Sequence, residues 1–489
     1  MSTLDTLYRS SLALLTDLYE LTMAYGYWKT GRHEREAVFQ LTFRANPFGG
    51  GFTVAAGLAT AIEFVNRLRF DADDLAYLKG LRGNDGRPLF EPAFLEYLGQ
   101  FALSCDLHAI PEGTIVFPHE PLVRVQGPLI QAQLLETALL NIINFQSLVA
   151  TKAARLVLAA HGDPVVDFGL RRAQGIDGGL AASRAAYLGG CEATSNVLAG
   201  RLYGIPVKGT HAHSWVMSFD DELQSFRTYA RAMPNNCVFL VDTYNTLDGV
   251  RNAIEVGREL RRQGHELIGI RLDSGDLSWL SSEARRMLDE AGFASAQIMA
   301  SNELDEHIIA SLKEQGAAVN VWGVGTRLIT AYDQPALGGV YKLSALRDEQ
   351  GAWQHKVKLS EQAIKVSTPG ILQVRRYSRR GEAIGDVIFD KLDPLQGEAT
   401  MVDPLDPTRL KIMPADAVAE DLLQPIFDHG RCVDTAPSLE QSRRRLQDQL
   451  GMFHAGVKRF VNPHRYPVGL DLALHERKTA LIRKTRGYS

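Results

Sequence analysis

Short apolar runs rich in β-branched residues recur between residues 164 and 325, and each run ends in polar or glycine-rich positions. Helical patterns separate most of the runs. Apolar strands that alternate with helices indicate a parallel sheet covered by helices, which is either a closed barrel or an open doubly wound sheet. The runs occupy residues 164–169, 206–211, 237–242, 267–273, 297–302 and 318–325.

The positions of the polar residues distinguish these two architectures. Nearly every run carries its reactive side chains at its C-terminal end. In a barrel these ends converge on one mouth, whereas an open sheet concentrates them at a single switch point. We therefore predict an α/β barrel over residues 136–338, of irregular form because about six good units are visible rather than eight.

The flanking segments have a different pattern, typical of a smaller sheet. Two short alternating runs broken by prolines, 113–118 and 122–128, indicate edge strands. After residue 338 the βα rhythm stops, and antiparallel strands are predicted at 339–343, 353–359, 371–377 and 386–390. The predicted boundaries are 1–135 and 339–430 for one side domain and 431–489 for a helical extension.

The N-terminal segment predicts an apolar helix. Asp17 stands before the helical pattern and Glu20 follows three residues later, which is the spacing of a capping box. An ordinary packing helix is the alternative.

Composition narrows the class of protein. A formal net charge of -4 argues against a general nucleic-acid binder, which normally needs a basic face. The four cysteines are scattered without a CxxC pair, so neither a disulfide framework nor a cysteine zinc site is indicated, and a reducing cytosol fits best. Because no run approaches the roughly 18 apolar residues of a membrane span, we expect a cytoplasmic protein.

Two histidines mark the end of the second run. His211 and His213 are two positions apart, so on an extended chain both side chains point the same way. They could be metal ligands, which would need a third ligand and an open position. One could instead be a nucleophile oriented by a carboxylate, or both could be satisfied by local hydrogen bonds.

Acidic and basic side chains follow the next two runs. Asp242 could fix the tautomer of His213 from the adjacent strand, or cap the following helix. Arg271 is suited to holding an anionic group while Asp273 accepts sugar hydroxyls. Asp276 could belong to the same loop chemistry or cap a helix.

The first and last runs also carry candidate binding residues. Backbone N–H groups of Gly323 and Gly325, with Thr326, would make a phosphate-binding turn, in keeping with the late-strand phosphate sites of barrels. Phe168 offers an aromatic face, and Arg171 adds a cation at another strand end.

Together these motifs resemble the nicotinate phosphoribosyltransferase family, and the match runs through most of the chain in the right order. The resemblance implies an α/β barrel joined to an open-faced β-sandwich and a homodimer with active sites near the interface. It also implies magnesium-dependent use of phosphoribosyl pyrophosphate, and ATP hydrolysis through a phosphorylated histidine. The motifs are 16-TDLY, 167-DFGLRR, 209-GTHAHSW, 241-VDTY, 271-RLDSGD, 323-GVGT and 462-NPHRYPV.

The resemblance also implies roles for single residues. Tyr19 and Phe168 are similar to an aromatic pair that sandwiches the pyridine ring, and His213 to the phosphorylated histidine with Asp242 behind it. No role for His211 and no magnesium ligands follow. The residues expected to be catalytic are His213, Asp242, Arg271 and Asp273, and those expected to bind substrates are Tyr19, Phe168, Arg171, Thr210, Ser214, Gly323, Gly325 and Thr326.

The expected reaction forms nicotinate mononucleotide and pyrophosphate from nicotinate and phosphoribosyl pyrophosphate, in NAD salvage. The nearest alternative is the related nicotinamide enzyme, in which an aspartate stands where this sequence has Ser195. A carboxylate there would repel nicotinate, whereas serine tolerates it. Quinolinate phosphoribosyltransferase shares the architecture but is shorter. From another class, the two histidines with Asp242 or Asp273 could form a metal-dependent barrel hydrolase.

Overall fold

The computed structural model describes residues 11–395, 398–434 and 437–488. The chain divides into two compact units, one formed by the continuous segment Leu148–Pro335 and the other by the segments before and after it. The strands are β1 (Glu36–Thr42), β2 (Thr53–Val54), β3 (Asp106–Ala109), β4 (Ile115–Val116), β5 (Val123–Pro128), β6 (Val165–Asp167), β7 (Ala193–Thr194), β8 (Val238–Leu240), β9 (Gly269–Leu272), β10 (Gln297–Ala300), β11 (Val321–Val324), β12 (Val340–Arg347), β13 (Trp353–His355), β14 (Leu372–Arg379), β15 (Glu382–Asp390), β16 (Thr400–Val402), β17 (Leu410–Ile412), β18 (Val418–Asp421), β19 (Gln424–Asp428), β20 (Arg431–Cys432) and β21 (Val468–Asp471).

Helices connect the strands of the continuous unit and cover part of the other. They are α1 (Leu18–Lys29), α2 (Leu58–Arg67), α3 (Ala72–Gly80), α4 (Pro92–Gly99), α5 (Leu129–Gln133), α6 (Glu136–Ala159), α7 (Ile176–Leu188), α8 (Val197–Tyr203), α9 (His213–Met217), α10 (Glu222–Ala232), α11 (Thr246–Arg262), α12 (Leu277–Glu290), α13 (Glu306–Glu314), α14 (Thr326–Ile329), α15 (Leu439–Met452) and α16 (Leu472–Thr485).

The continuous unit is an α/β barrel. Its six parallel strands lie in the order β7-β6-β11-β10-β9-β8, so the first strand of the unit, β6, pairs with the last, β11. Starting from β8, the strands β8, β9, β10 and β11 lie side by side in chain order, and β6 and β7, the first strands of the unit, come next. This circular order is that of a barrel, whereas a doubly wound sheet reverses its order at a switch point. The predicted strand at 206–211 is reduced to a single parallel bridge between Val207 and Thr194.

The barrel helices bury apolar faces and are closed at their N-termini by side chains. Along α11, Val250, Ala253, Ile254, Val256 and Leu260 are buried. Its cap is Asn245, which accepts the N–H of Asp248 at 3.1 Å. Asp276 accepts the N–H of Trp279 and caps α12, which confirms the capping alternative for this residue.

The second unit is a β-sandwich with helices packed against it. One sheet runs β13-β12-β1-β5-β3-β19-β20 and the other β17-β16-β21-β15-β14-β18. Apolar side chains from both sheets, such as Phe39 and Val125 from the first and Val374 and Ile388 from the second, share one buried core. The tail that was predicted as a helical extension also supplies strands β20 and β21.

Two expectations about the first helix change. α1 begins after Asp17 as predicted, but the Asp17 side chain makes no capping hydrogen bond. The Glu20 carboxylate does not reach back to close a capping box; it accepts hydrogen bonds from the hydroxyls of Thr16 and Thr137 and from the Thr137 N–H. The Glu20 carboxylate therefore joins α1 to Thr137 of α6 instead of capping the backbone of its own helix.

One helical run is more apolar than the prediction of no membrane-length run allowed. The run Leu129–Ala159 is long and apolar enough to cross a membrane by length and composition alone. However, 61% of its apolar window is buried inside the protein. The run therefore has the environment of a core helix.

Candidate active site at the carboxyl ends of the barrel strands

The polar candidates of the barrel lie beyond the carboxyl ends of its strands. Phe168 directly follows β6, Asp273 directly follows β9, and Asp242 lies two residues past β8. His213 is the first residue of α9, in the connection between the Val207 bridge and β8. The parallel pairing brings these ends to one edge, as the sequence pattern predicted.

Arg271 is the organising cation of this edge. Its Nε donates to the Ser301 hydroxyl at 2.7 Å, its Nη1 to the Thr210 hydroxyl at 3.0 Å and its Nη2 to Asp273 at 2.8 Å. The guanidinium lies 5.5 Å from the centroid of the Phe168 ring, within cation–π range. Because its planar fork is engaged on three sides, the arginine is held in one orientation.

The two carboxylates are joined to each other through the backbone. Oδ2 of Asp242 accepts the N–H of Asp273 at 2.8 Å and the hydroxyl of Ser274 at 2.7 Å. Oδ1 of Asp242 is buried without a hydrogen-bond partner. Asp242 does not cap the following helix, since Asn245 has that position. One oxygen of this carboxylate is therefore structural and the other is uncommitted.

Asp273 is ionised by its surroundings. Burial alone would raise the pKa of this carboxyl, but the Ser301 hydroxyl and the positive charge of Arg271 outweigh burial and hold the pKa below its usual value. Both groups bond to Oδ1. Oδ2 instead faces His213.

His213 lies against both carboxylates. Its Nε2 is 3.7 Å from Asp273 Oδ2 and 4.0 Å from Asp242 Oδ1, distances of ionic contact rather than of hydrogen bonding. Its Nδ1 is 3.1 Å from the Thr243 hydroxyl. The ring is 39% exposed, so a substrate can reach it.

Phe168 is placed by two close contacts. Asp167, buried in β6, accepts the N–H of Gly169 and the hydroxyls of Ser183 and Thr194, which fixes the backbone on both sides of the ring. Gly323 lies beside the ring, and a Cβ there would stand 2.7 Å from two ring carbons. Gly323 therefore makes room for an aromatic side chain, a different role from the predicted phosphate turn.

His211 and His213 both contact the segment that ends β8, but in different environments. The extended backbone ends at Ala212, because α9 begins with His213. His211 is buried, and its Nε2 accepts the N–H of Leu240 at 3.2 Å. Because the backbone occupies Nε2 of His211, and neither histidine belongs to a cluster of three potential metal ligands among the described residues, the geometry does not support the barrel hydrolase alternative.

The remaining barrel candidates lie near this edge with looser contacts. Ser214 is exposed in the first turn of α9, and Arg171 is exposed in the 3-10 turn Leu170–Arg172. Gly325 precedes the short helix that starts at Thr326, whose hydroxyl donates to Glu303 at 3.4 Å. The geometry brings these residues to strand ends without defining a ligand for them.

Family models match the chain in three consecutive parts. Residues 14–144 match the nicotinate phosphoribosyltransferase N-terminal domain, 164–361 the nicotinate phosphoribosyltransferase family, and 373–478 the C-terminal domain. A nicotinate phosphoribosyltransferase of Bacillus subtilis is 45% identical over 466 residues, which is 94% of this chain and 93% of that protein. The chain belongs to the nicotinate phosphoribosyltransferase family.

Other relatives in this family extend the comparison. The human nicotinate phosphoribosyltransferase is 36% identical over 533 residues, which is 96% of both chains. The crystal structure of human nicotinic acid phosphoribosyltransferase superposes with a TM-score of 0.82 at 33% identity, covering 95% of this chain and 99% of that chain. The predicted architecture, an α/β barrel with a β-sandwich, is confirmed.

Two residues of this candidate site were missed by sequence reasoning. Ser301 bonds to both Arg271 and Asp273, and Thr243 contacts His213. Thr243 directly follows the predicted run 237–242, and Ser301 lies at the polar end of the run 297–302, so the strand-end rule that selected Asp242 and Asp273 could have found both.

The expected magnesium ion can be tested against the donors of this family member. Mg²⁺ prefers oxygen ligands and commonly shares them with substrate phosphates. Asp242 Oδ1 and Asp273 Oδ2 are the oxygens left uncommitted, and both face His213. These donors fit the ion. Elsewhere among the described residues, Asp106, Asp428 and His429 cluster on the surface of the sandwich, where such acidic groups are common without a metal.

Tyr19 lies on α1, in the sandwich unit. Its side chain is 46% exposed, and burial together with the charge of Glu136 raises its pKa. The phenol therefore stays neutral at physiological pH. Exposure of an aromatic face is compatible with stacking on a ligand ring.

The sandwich unit also contains a basic recess. Burial and the charge of Lys478 lower the pKa of His119 to about 4, so this histidine is neutral at pH 7. Burial lowers the pKa of Lys478 to about 8. The lining includes Gln40, Thr42, Arg44, His119, Lys342 and Lys365.

Proposed function

We propose that the barrel edge is the site where nicotinate and phosphoribosyl pyrophosphate form nicotinate mononucleotide and pyrophosphate. Nicotinate phosphoribosyltransferase activity is the activity by which the family and its relatives are named. We further propose that the transfer requires Mg²⁺, that ATP hydrolysis through a phosphohistidine at His213 drives it, and that the enzyme works as a cytosolic homodimer in NAD salvage.

The single observation that carries this proposal is the convergence of Arg271, Asp273, Asp242 and His213 on one edge. Displacement at the ribose C1 passes through a cationic state, so it needs aligned substrates and stabilised charge more than a strong nucleophile. Arg271 is presented rigidly beside the Phe168 face and suits the nicotinate carboxylate. Asp273, held ionised, suits the ribose hydroxyls and the developing positive charge.

His213 is suited to accept a phosphoryl group. Its ring is exposed, and Thr243 and the two carboxylates restrict its orientation. A phosphoryl group added there would meet Asp242 and Asp273, and like charges repel. Mg²⁺ at the uncommitted oxygens would offset this repulsion and bring Lewis acidity to the phosphate groups. Phosphorylation would then alter substrate affinity through charge, as a coupling device.

The preference for nicotinate over nicotinamide is supported by Ser195. This residue follows β7, and its N–H donates to the carbonyl of Asp167, next to Phe168. It therefore lies beside the predicted ring-binding face. A neutral hydroxyl tolerates the carboxylate of nicotinate, whereas an aspartate would disfavour it.

The homodimer is supported by an apolar surface on the barrel unit. Leu198 and Leu202 are one turn apart on α8 and are 45% and 55% exposed, and Val197 and Val207 are 70% and 50% exposed. A Cβ at Gly200 would stand 2.3 Å from Val207, so the helix and the Val207 segment are adjacent. Contiguous exposed apolar residues are typical of protein interfaces.

The activity can be tested by mass identification of products. The enzyme is mixed with phosphoribosyl pyrophosphate, Mg²⁺ and equal nicotinate and nicotinamide, with and without ATP. Nicotinate mononucleotide is the expected main product, and chelation of the metal should abolish its formation. Nicotinamide mononucleotide as the main product would contradict the substrate assignment.

The phosphohistidine is tested with His213→Ala. This variant should lose ATP hydrolysis but keep some ATP-independent transfer, because Arg271 and Asp273 remain in place. Ser218→Ala, an exposed change just past α9, serves as the matched control. ATP hydrolysis that survives intact in His213→Ala would rule out the phosphoryl-acceptor role.

A further inference from the structure

The barrel sheet has a seam where two consecutive segments do not pair as strands. On one side, the Val207 segment is joined to β7 by its single bridge. On the other side, β8 pairs with β9. Among the described residues, no strand pairing joins the Val207 segment to β8. Because an unpaired backbone group in a buried sheet is costly, the seam needs another acceptor.

The His211 side chain supplies that acceptor. Its Nε2 accepts the N–H of Leu240, the last residue of β8, at 3.2 Å. A backbone N–H can only donate, so Nε2 carries no hydrogen and the ring proton is on Nδ1, which lies 3.4 Å from the Ala212 carbonyl oxygen. The imidazole therefore accepts the backbone hydrogen bond that a neighbouring strand would otherwise accept.

The surroundings of His211 keep it in this neutral form. Its ring lies 5.1 Å from that of Tyr229 and 5.8 Å from that of Phe226, centroid to centroid. Burial, with the nearby charges of Arg271 and His213, lowers its pKa to about 4. The acceptor nitrogen thus remains available at physiological pH.

The bond ties together the two chain segments that carry the His213–Asp242 contact. His211 is two residues before His213, and Leu240 is two residues before Asp242. The His211 carbonyl also accepts the Thr210 hydroxyl at 3.0 Å, and that hydroxyl accepts Arg271. A displacement at the seam would therefore move both His213 and Thr210 relative to the fixed carboxylates.

We infer that His211 is a positioning residue: by accepting the Leu240 N–H across the barrel seam, it holds His213 within reach of Asp242 and Asp273. The geometric part of this inference stands on the seam alone. Its catalytic consequence rests on the proposed function of His213.

The test compares His211→Gln with His211→Asn in the full-length protein. The glutamine side chain places its oxygen near the position of Nε2 and can accept the Leu240 N–H, whereas asparagine is one methylene too short. Hydrogen exchange at the Leu240 amide should stay slow in His211→Gln and become faster in His211→Asn. ATP hydrolysis should stay close to wild type in the first and fall about 10- to 100-fold in the second, since a misplacement of about 1 Å has effects of this size.

The controls separate positioning from packing. Both variants place an amide among the same aromatic rings, so a purely structural role would affect them alike. His161→Asn, an exposed histidine with φ of 49° that asparagine accommodates readily, controls for the substitution itself. Equal losses in His211→Gln and His211→Asn, or unchanged Leu240 exchange in both, would overturn the inference. Absence of ATP hydrolysis in the wild type would instead refute the proposed function. The exchange data would still show whether the His211 side chain protects the Leu240 amide.

Discussion

The barrel edge and the interior of the sandwich each contain an arginine with two carboxyl groups, but the carboxyl groups are used differently. The barrel cluster is Arg271 with Asp273 and Asp242, and the sandwich cluster is Arg376 with Asp386 and Glu120. In the sandwich, Arg376 bonds to both oxygens of Asp386, to Gln449 and to the carbonyl of Ile115, and all of this is buried. Tyr466 donates a further hydrogen bond to Asp386 at 2.9 Å.

At the barrel edge, Arg271 is equally well engaged, yet one oxygen of each nearby aspartate is uncommitted and faces the partly exposed His213. The same residue types therefore serve stability where the arginine and its aspartate are buried and fully bonded to each other, and suit ligand binding where unbonded acceptors face a histidine that is open to solvent. The difference lies in what the unbonded acceptors face, not in the composition of the cluster, since Oε1 of Glu120 also has no hydrogen-bond partner but is enclosed in the sandwich.

The largest expected effect breaks the sandwich cluster. Arg376→Met leaves Asp386 buried without its cation, and removal of one partner of a buried pair costs about 3–5 kcal/mol of unfolding free energy. Thermal and urea unfolding of the full-length protein measure this loss. Arg271→Met is the matched control and should melt closer to wild type, because its carboxylate partner Asp273 is partly open to solvent, unlike Asp386. Equal destabilisation by both variants would erase the contrast between the two clusters.

A smaller effect, on activity, is expected at the barrel edge. Arg271→Lys keeps the charge but cannot bond to Ser301, Thr210 and Asp273 together. We expect kcat/KM for nicotinate to fall about 100-fold, equivalent to ~2.7 kcal/mol, with little change in melting temperature. Arg251→Lys, on the exposed face of α11, is the control. Wild-type kinetics in Arg271→Lys would show that the fork geometry is not used.

The smallest expected effect concerns Glu120 in the sandwich cluster. Burial, and then the charge of Asp386, raise the pKa of Glu120 well above its usual value. The folded protein therefore holds a proton that the unfolded chain releases above about pH 4.3. This contribution to stability is fully present below that pH and is lost as the pH rises through the folded pKa.

Glu120→Gln, which stays neutral, should therefore flatten the decline of stability above pH 5. The change in slope is at most ~1.4 kcal/mol per pH unit, the value for one proton. Melting temperatures at pH 5, 6, 7 and 8 measure it, with Glu398→Gln, an exposed position, as the control. Parallel pH profiles for Glu120→Gln and wild type would argue that Glu120 ionises in the fold as it does in water.

The sequence was most informative where chemistry and periodicity coincide. The apolar runs around β6, β8, β9, β10 and β11 were predicted, because strands buried on both faces have continuous apolar patterns. The meeting of Arg271, Asp273 and Asp242 followed from the strand-end rule. The 206–211 run, also apolar at its start, forms only a single bridge, and the hydrogen bond to β8 is made by the His211 side chain.

Other features depend on tertiary contacts that no local pattern contains. Glu20 has the spacing of a capping box, but its carboxylate instead accepts two hydrogen bonds from Thr137, which is more than a hundred residues away in the chain. Gly323 belongs to a glycine-rich turn, yet its purpose is visible only once the Phe168 ring is placed beside it. The strand β21 is short and lies between helical segments, so its pairing with β15 could not be read from the tail.

The barrel segment lies in the sequence between the two segments that form the sandwich, and this order has a consequence for biosynthesis. β1 pairs with β12, and Thr42 lies opposite Val340. At about 5–20 residues per second, Val340 leaves the ribosome roughly 15–60 s after Thr42. The barrel, being continuous, can fold during that interval. During that interval one edge of β1 has no strand partner, and an unpaired strand edge is a site at which other chains can pair.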